Sequence, residues 1–308
     1  MAIQPNKARL AKLLSGLRRE VSLTGTTFQD ITIGDERSIQ HYKASNAPGR
    51  YFLETYFPKR PGLNANLDQA MTVEVARALS DEFEVVGTNM TSALTTFSET
   101  YGGIKITTGG TDNDQTTVTP HLDDNDNSDD PTHAISAWRG VKWGSENQTE
   151  WSCCITTDTI TTVSIHAGLK LTNDPTIATD ANQAYFLFAT DDDLGTLATN
   201  ANLHFVYSIG GSDYLTDLGI AVAADTTYHL KIKFDDERKI SAYVNGEQYS
   251  LNTTATVAEV TTPGKGTTTS AAMTNDIDFI PYIGLRVHAG SARSLRIHHQ
   301  SISRVIFE

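Results

Sequence analysis

Between Tyr228 and Leu251 apolar and polar residues alternate along most of the chain. Tyr228, Leu230, Ile232 and Phe234 share one face of an extended segment, and His229, Lys231 and Lys233 share the other. A period of two predicts a strand with one buried and one wet face. Asp235-Asp236-Glu237-Arg238 supplies a polar turn, and Ile240, Ala242 and Val244 resume the alternation. Asn245-Gly246 follows, the dipeptide suited to a two-residue hairpin turn, which needs φ > 0 at both positions. A short strand over Gln248–Leu251 completes a three-stranded meander whose apolar face requires a second sheet to cover it.

The N-terminal pattern is different. Leu10, Leu13, Leu14 and Leu17 recur at i, i+3, i+4 and i+7, which predicts an amphipathic helix from Pro5 to about Val21. Lys7, Arg9, Lys12, Arg18 and Arg19 occupy the rest of its circumference. Such a helix either packs on its own domain or docks on an acidic partner surface. Residues 22–66 read as an irregular arm, with Tyr51, Phe52, Tyr56 and Phe57 followed by Pro58, Pro61 and Gly62. These aromatics are either a plug into their own domain or a contact strip for a neighbouring subunit. From Asn66, the spacing of Leu67, Ala70, Met71, Val75, Ala78 and Leu79 predicts a second helix ending near Phe83, with Asp68 suiting its N-terminal dipole.

From about Asn89 strands and turns take over. Strands are expected at Thr91–Ser98, Ile104–Thr108, Trp138–Trp143, Thr149–Thr157, Ser164–Leu171, Tyr185–Ala189, Leu203–Ile209, Phe279–Val287 and Ser294–Val305, beside the meander. No helical crossover separates them, so the sheets are antiparallel. The expected organisation is a docking helix, arm and second helix over 1–88, and an antiparallel β-sandwich over 89–308.

Composition sharpens this picture. The 308 residues carry a formal net charge of −13, with 20% charged and 8% aromatic residues. That balance argues against nucleic acid or an anionic membrane as the partner. Cys153 and Cys154 are the two cysteines, and on a strand they point to opposite faces. The start of the sequence lacks the apolar core of a secretory signal, and no apolar run approaches the ~20 residues of a membrane span. The expectation is a reduced protein made in a cytoplasm.

The candidate chemistry is sparse. Residues 121–133, HLDDNDNSDDPTH, gather Asp123, Asp124, Asp126, Asp129 and Asp130. Oxygen-rich loops can hold Ca²⁺, with Asp123, Asp124 and Asp126 as the candidate ligands; otherwise the loop is simply a solvated acidic one. The EF-hand pattern fails, since counting from Asp124 places Asp129 where glycine is required and Ile135 where a bidentate glutamate is required. His121, Asp123 and His133 form a weaker transition-metal combination, and Asp191–Asp193 a weaker acidic one. Glycoside hydrolysis needs two carboxylates facing each other across the scissile bond. No strand carries alternating acids at that spacing, and neither a G-x-S-x-G nor a P-loop is present. No catalytic residue is assigned and no cofactor beyond Ca²⁺ is expected. His298 and His299, adjacent on a strand, should face opposite sides, and Trp138, Trp143 and Trp151 are either exposed rings for glycan recognition or, as is commoner on strands, core residues.

The segment TTYHLKIKFDDERKISAYVNGEQYSL, residues 226–251, resembles the late strands of concanavalin A-like, laminin-G-type jelly rolls. The wording of GTNMTSALTTF, PHLD and FIPYIGLRV also looks like structural proteins of tailed bacteriophage virions. The resemblance implies a non-enzymatic virion protein, foremost a capsid decoration or cement protein. Its docking residues would be Lys7, Arg9, Leu10, Leu13, Leu14, Leu17, Arg18, Tyr51, Phe52, Tyr56 and Phe57. It would sit on a major capsid protein or other virion proteins as a dimer or trimer. The alternative is a lectin-like tail or baseplate protein contacting host glycans, and a more remote one a polysaccharide-cleaving enzyme.

Overall fold

The computed structural model describes residues 50–63, 80–89, 95–100, 102–120, 136–172, 180–190, 201–255 and 264–306. The chain divides into two compact units, 1–54 with Phe307, and 55–306 with Glu308. In the first, the described residues are 50–54, all on strand β1 (Arg50–Thr55).

The second unit is built of strands. In chain order they are β2 (Pro61–Leu63), β3 (Ser80–Gly87), β4 (Thr95–Phe97), β5 (Ile104–Thr107), β6 (Gln115–Pro120), β7 (Glu150–Thr157) and β8 (Val163–Lys170). Then come β9 (Gln183–Ala189), β10 (Asn202–Ile209), β11 (Ser212–Ala221), β12 (Thr227–Phe234), β13 (Ile240–Val244), β14 (Glu247–Tyr249), β15 (Ile280–Val287) and β16 (Ser294–Val305). They form two sheets. The first runs β14-β13-β12-β7-β16-β5-β4, and the second β11-β10-β9-β8-β15-β6-β3-β2. Within these paths the pairings are antiparallel except for β2 with β3. Two such sheets packed face to face make an antiparallel jelly-roll β-sandwich.

The meander folds as its alternation dictates. Strand β12 is buried at Tyr228, Leu230, Ile232 and Phe234, and exposed at His229 and Lys233. Asn245 and Gly246 take φ of 52° and 86°, the left-handed values a primed turn needs. The Asn245 side chain accepts from the His229 N–H at 2.9 Å, tying the turn to β12. Across the sheet, Leu230 pairs with Cys153 and Ile232 with Trp151, so β7 buries Trp151, Cys153 and Ile155 on that face. Cys154 points outward and is half-buried. All three tryptophans are buried.

In the second sheet the inner face is the one bearing Phe186, Phe205 and Tyr207. The Tyr207 hydroxyl donates to the Asn252 carbonyl at 2.5 Å, and the Asn252 N–H donates to Thr216 Oγ1 at 2.9 Å. Asn252 lies just beyond β14, so these bonds join the second sheet's face to chain leaving the first.

Three expectations need correction. Of the helix expected from Asn66 to near Phe83, residues 66–79, with Leu67, Ala70, Met71, Val75, Ala78 and Leu79, lie outside the described residues. Its expected end at Ser80–Phe83 is instead the start of strand β3, in which Phe83, Val85 and Val86 are buried and Glu84–Val86 pair with Thr117–Thr119. The second sheet therefore extends upstream of Asn89. Residues 138–143 are not a strand: Ser136 caps a short helix, α1 (Ala137–Gly140), by accepting from the Trp138 N–H. The helix lays Trp138 against Phe83, with ring centroids 5.0 Å apart. Third, His298 and His299 do not face opposite sides. A bulge between Ile297 and His299 shifts the register, and an inserted residue lets both neighbours project from one face.

Candidate functional site

Two surfaces of the sandwich carry chemistry. The first is the face of the second sheet that points away from its partner sheet. Register places Tyr282, Gly168, Tyr185, Val206 and Leu215 in one row across β15, β8, β9, β10 and β11. The adjacent row reads Thr117, Gly284, His166, Leu187, His204 and Asp217. An outer sheet face is ordinarily wet on alternate residues. Here it is as closed as the inner one: Tyr282 is 2% exposed, and His166, Tyr185 and Leu187 are fully buried.

The two glycines make room for the large groups. A Cβ at Gly168 would lie 2.5 Å from Tyr185 Cα, and one at Gly284 would lie 2.6 Å from His166 Nε2. The Tyr282 ring sits 5.3 Å from the His166 ring and 6.1 Å from that of Tyr185. Lys170 Nζ stands 5.3 Å from the Tyr282 centroid, within cation–π range. Burial drives the Tyr282 hydroxyl well above the usual phenol range, with Tyr185 and Asp180 adding to the effect. That hydroxyl therefore stays a hydrogen-bond donor, and it finds no hydrogen-bond partner among the described residues. Beside this cluster, Gln183 Nε2 donates to Ser208 Oγ at 3.2 Å, and Ser208 donates to Asp213 at 2.5 Å. Imidazole, ammonium and phenol groups can exchange protons, but proton transfer to a substrate needs contact within hydrogen-bond reach.

The second surface is the outer face of the first sheet, which is polar and open. His229 lies opposite Cys154, and Cys154 lies opposite His299, so the three form a row across β12, β7 and β16. Cys154 Sγ and His229 Nε2 are 3.8 Å apart. His298 pairs with Thr156 Oγ1 at 2.8 Å through Nε2 and with the Gly102 carbonyl at 3.0 Å through Nδ1. Tyr56, Gly102, Gly103, Cys154, His229, His298 and His299 line one depression of about 500 Å³. The neighbouring charges are paired: Lys231 with Glu150 at 2.7 Å, and Arg296 with Asp225 at 3.4 Å. Burial raises the Cys154 thiol above its ordinary range.

The residues singled out from sequence are distributed differently. Lys7, Arg9, Leu10, Leu13, Leu14, Leu17 and Arg18 lie outside the described residues, as do Asp123, Asp124, Asp126, His121, His133 and Asp191–Asp193. Tyr51 and Phe52, on β1, are half-buried. Tyr56 is 56% exposed, with its ring 4.8 Å from that of His299. Phe57 is buried, 5.4 Å from the Phe83 ring, so within the aromatic strip it is a core residue. Among the described residues no group of three His, Cys, Asp or Glu side chains is gathered in a metal-holding arrangement. None of their helices is long and apolar enough to cross a membrane. The row of His229, Cys154 and His299 went unnoticed in the sequence because its members are 70 or more positions apart.

No protein-family model matches the sequence, and neither does any curated protein. Solved structures do resemble it in outline. A protein of unknown function from Shewanella oneidensis MR-1 aligns at 11% identity and a TM-score of 0.48, over 84% of this chain and 89% of that one. A family 7 alginate lyase aligns at 13% identity and 0.44, over 70% and 85%. The carbohydrate recognition domain of Emp46p, in a potassium-bound form, aligns at 10% identity and 0.43, over 78% and 98%. These likenesses concern the fold.

Proposed function

We propose that this protein is a non-enzymatic structural component of a tailed-phage virion, a decoration or cement protein held on the particle by its N-terminal segment. The observation that carries the reading is the closed outer face of the second sheet. An enzyme or lectin working from that face needs an open, lined groove. Here Tyr185, Leu187, Val206 and Tyr282 on that face are buried together as a core cluster. The basic N-terminal stretch and the acidic remainder supply opposite charge to different partners, and major capsid protein is the docking target. Copies are expected in the symmetric numbers, dimers or trimers, that a shell imposes.

The test is co-sedimentation with purified particles of the phage that encodes the chain. Full-length protein should saturate a fixed number of sites, and a chain lacking residues 1–49 should lose them while keeping its fold. Equal binding by the shortened chain, or absence of the protein from the particle's mass spectrum, would overturn the reading.

A second reading has its own observation. The outer face of the first sheet is open and carries Ser152, His229, Lys231, Tyr243 and His299 around a shallow depression of about 390 Å³. Polar groups and a ring on a rigid sheet suit a sugar. Saturable, sugar-specific binding on a glycan array, lost in Tyr243→Ala, would favour a lectin-like tail or baseplate role over decoration.

A further inference from the structure

Small side chains hollow the outer face of the first sheet along β7. Ser152 and Cys154 project there between Lys231 and His229 on β12 and His299 on β16. The two depressions on this face, of about 390 and about 500 Å³, have His229 and His299 in both their walls, so they adjoin. From Tyr243 on β13 to His299 on β16 the strand order β13-β12-β7-β16 covers three strand spacings, about 14 Å. Tyr56 adds its ring against that of His299, with centroids 4.8 Å apart.

We propose that the two depressions act as one groove, running across the strands from Tyr243 to Tyr56, that binds a linear glycan bearing carboxylate groups. This groove extends the site of the lectin-like reading and rests on that reading. Each end carries a ring: Tyr56 is 56% exposed and Tyr243 is half-buried. A phenol offers an apolar face to the C–H side of a sugar ring and a hydroxyl to its rim. Charge sets the class of glycan. Lys231 and the imidazoles of His229, His298 and His299 line the groove, and among the described residues no Asp or Glu does. Strand β12 turns His229, Lys231 and Lys233 outward, and its neighbours β7 and β13 set one carboxylate, Glu150, against them. Lys231 Nζ stands 2.7 Å from Glu150 and 5.6 Å from the Tyr243 ring centroid, which holds the ammonium beside the groove. The net charge of −13 repels a polyanion at a distance. At physiological salt that repulsion is screened beyond about 8 Å, so charge-assisted hydrogen bonds made in the groove decide binding.

The experiment is calorimetric titration of the full-length chain with polygalacturonate and with its carboxyl-reduced, neutral counterpart. Polygalacturonate should bind at least about tenfold more tightly, the equivalent of ~1.4 kcal/mol. Tyr56→Ala and Tyr243→Ala should each weaken its binding about fivefold, the scale of one lost ring contact. Lys231→Gln combined with Glu150→Gln leaves the net charge unchanged and should narrow the preference for the acidic polymer. Melting curves establish that each variant is folded. Equal affinity for the two polymers overturns the carboxylate class and leaves the lectin-like reading standing. Binding lost in Tyr243→Ala but unchanged in Tyr56→Ala overturns the joined groove and confines the sugar to the smaller depression. Binding of neither polymer also overturns the carboxylate class, and a blank glycan array beside it would remove the lectin-like reading itself.

Discussion

Thr117 Oγ1 and His166 Nε2 lie 3.3 Å apart across β15, hydrogen-bonded directly over Gly284. The bond exists because position 284 has no side chain. A Cβ there would stand 2.4 Å from Thr117 Oγ1, 2.6 Å from His166 Nε2 and 2.8 Å from the Thr116 carbonyl. Two of these neighbours are side-chain tips and one is backbone, so the strand itself would have to shift. Gly284→Ala should therefore destabilise the sandwich by about 1–3 kcal/mol, the usual range for overpacking. Thermal unfolding checks it, at roughly 2–4 °C per kcal/mol for a domain of this size. An unchanged melting temperature would mean that the close approach is not present.

Gln300 is the one amide projecting between the sheets from β16, and it is 1% exposed. Its side-chain carbonyl accepts from the Trp151 indole N–H at 3.2 Å. Gln300→Leu fills much the same volume but strands the indole donor. The expected loss is about 1–3 kcal/mol, read by urea denaturation, because a buried donor without a partner bears its full desolvation cost. Trp151→Phe, which removes the stranded donor, should therefore cost less in the Gln300→Leu background than in the parent.

Asp278 gives a pH-dependent prediction. Burial raises its carboxyl above the usual 3.8, against the opposing pull of the Trp143 N–H and of Arg139, Lys142 and Arg304. A folded-state pKa above the unfolded one means that ionised Asp278 opposes folding. That cost is fully present above the folded pKa and fades as pH falls towards 3.8. Asp278→Asn keeps an acceptor for the Trp143 N–H, which bonds Asp278 Oδ1 at 2.8 Å, and removes the charge. The variant should melt higher than the parent at pH 7, and the gap should narrow as pH approaches 4. A gap that widens on acidification would contradict the sign.

The two cysteines should react differently. Cys153 is buried between the sheets, and burial, followed by its neighbour Cys154, holds its thiol well above the ordinary range. Cys154 faces outward, raised less, by burial alone. Since the thiolate is the nucleophile, native protein should take up one equivalent of iodoacetamide, at Cys154, with a rate that climbs with pH. Peptide mass spectrometry locates the label. A second equivalent should appear after unfolding, and labelling of Cys153 in the native state would contradict the packing.

Several features were legible from local pattern because they rest on local stereochemistry. The Tyr228–Leu251 meander, the opposite faces of Cys153 and Cys154, and the Ser294–Val305 strand all follow from a period of two and one turn dipeptide. Other features follow a pattern shared by helices and strands. Helical spacing carried as far as Phe83 predicts helix there, yet β6 offers an edge for Phe83–Gly87, and pairing with Pro120–Thr116 decides in favour of strand at those residues. Tertiary pairing overrides propensity in this way wherever an apolar run is short. Strands β6 and β11 carry no strand signature in the sequence. Their sequences, QTTVTP and SDYLTDLGIA, lack a sustained apolar alternation.

The sequence by itself determined the β-sandwich class, the turn at Asn245-Gly246 and the inward faces of the meander, since each depends on backbone stereochemistry within a few residues. Only the tertiary structure decided which distant residues meet. Register across β12, β7 and β16 brings His229, Cys154 and His299 into one row, and a single inserted residue in β16 turns His298 to the same side. Alternation fixes which face a side chain occupies, but its neighbours on that face are set by strand order and register, which long-range packing selects. The same holds for the second sheet, where Tyr282, Tyr185 and His166 come from three different strands and are closed away from solvent on a face that alternation alone would leave wet.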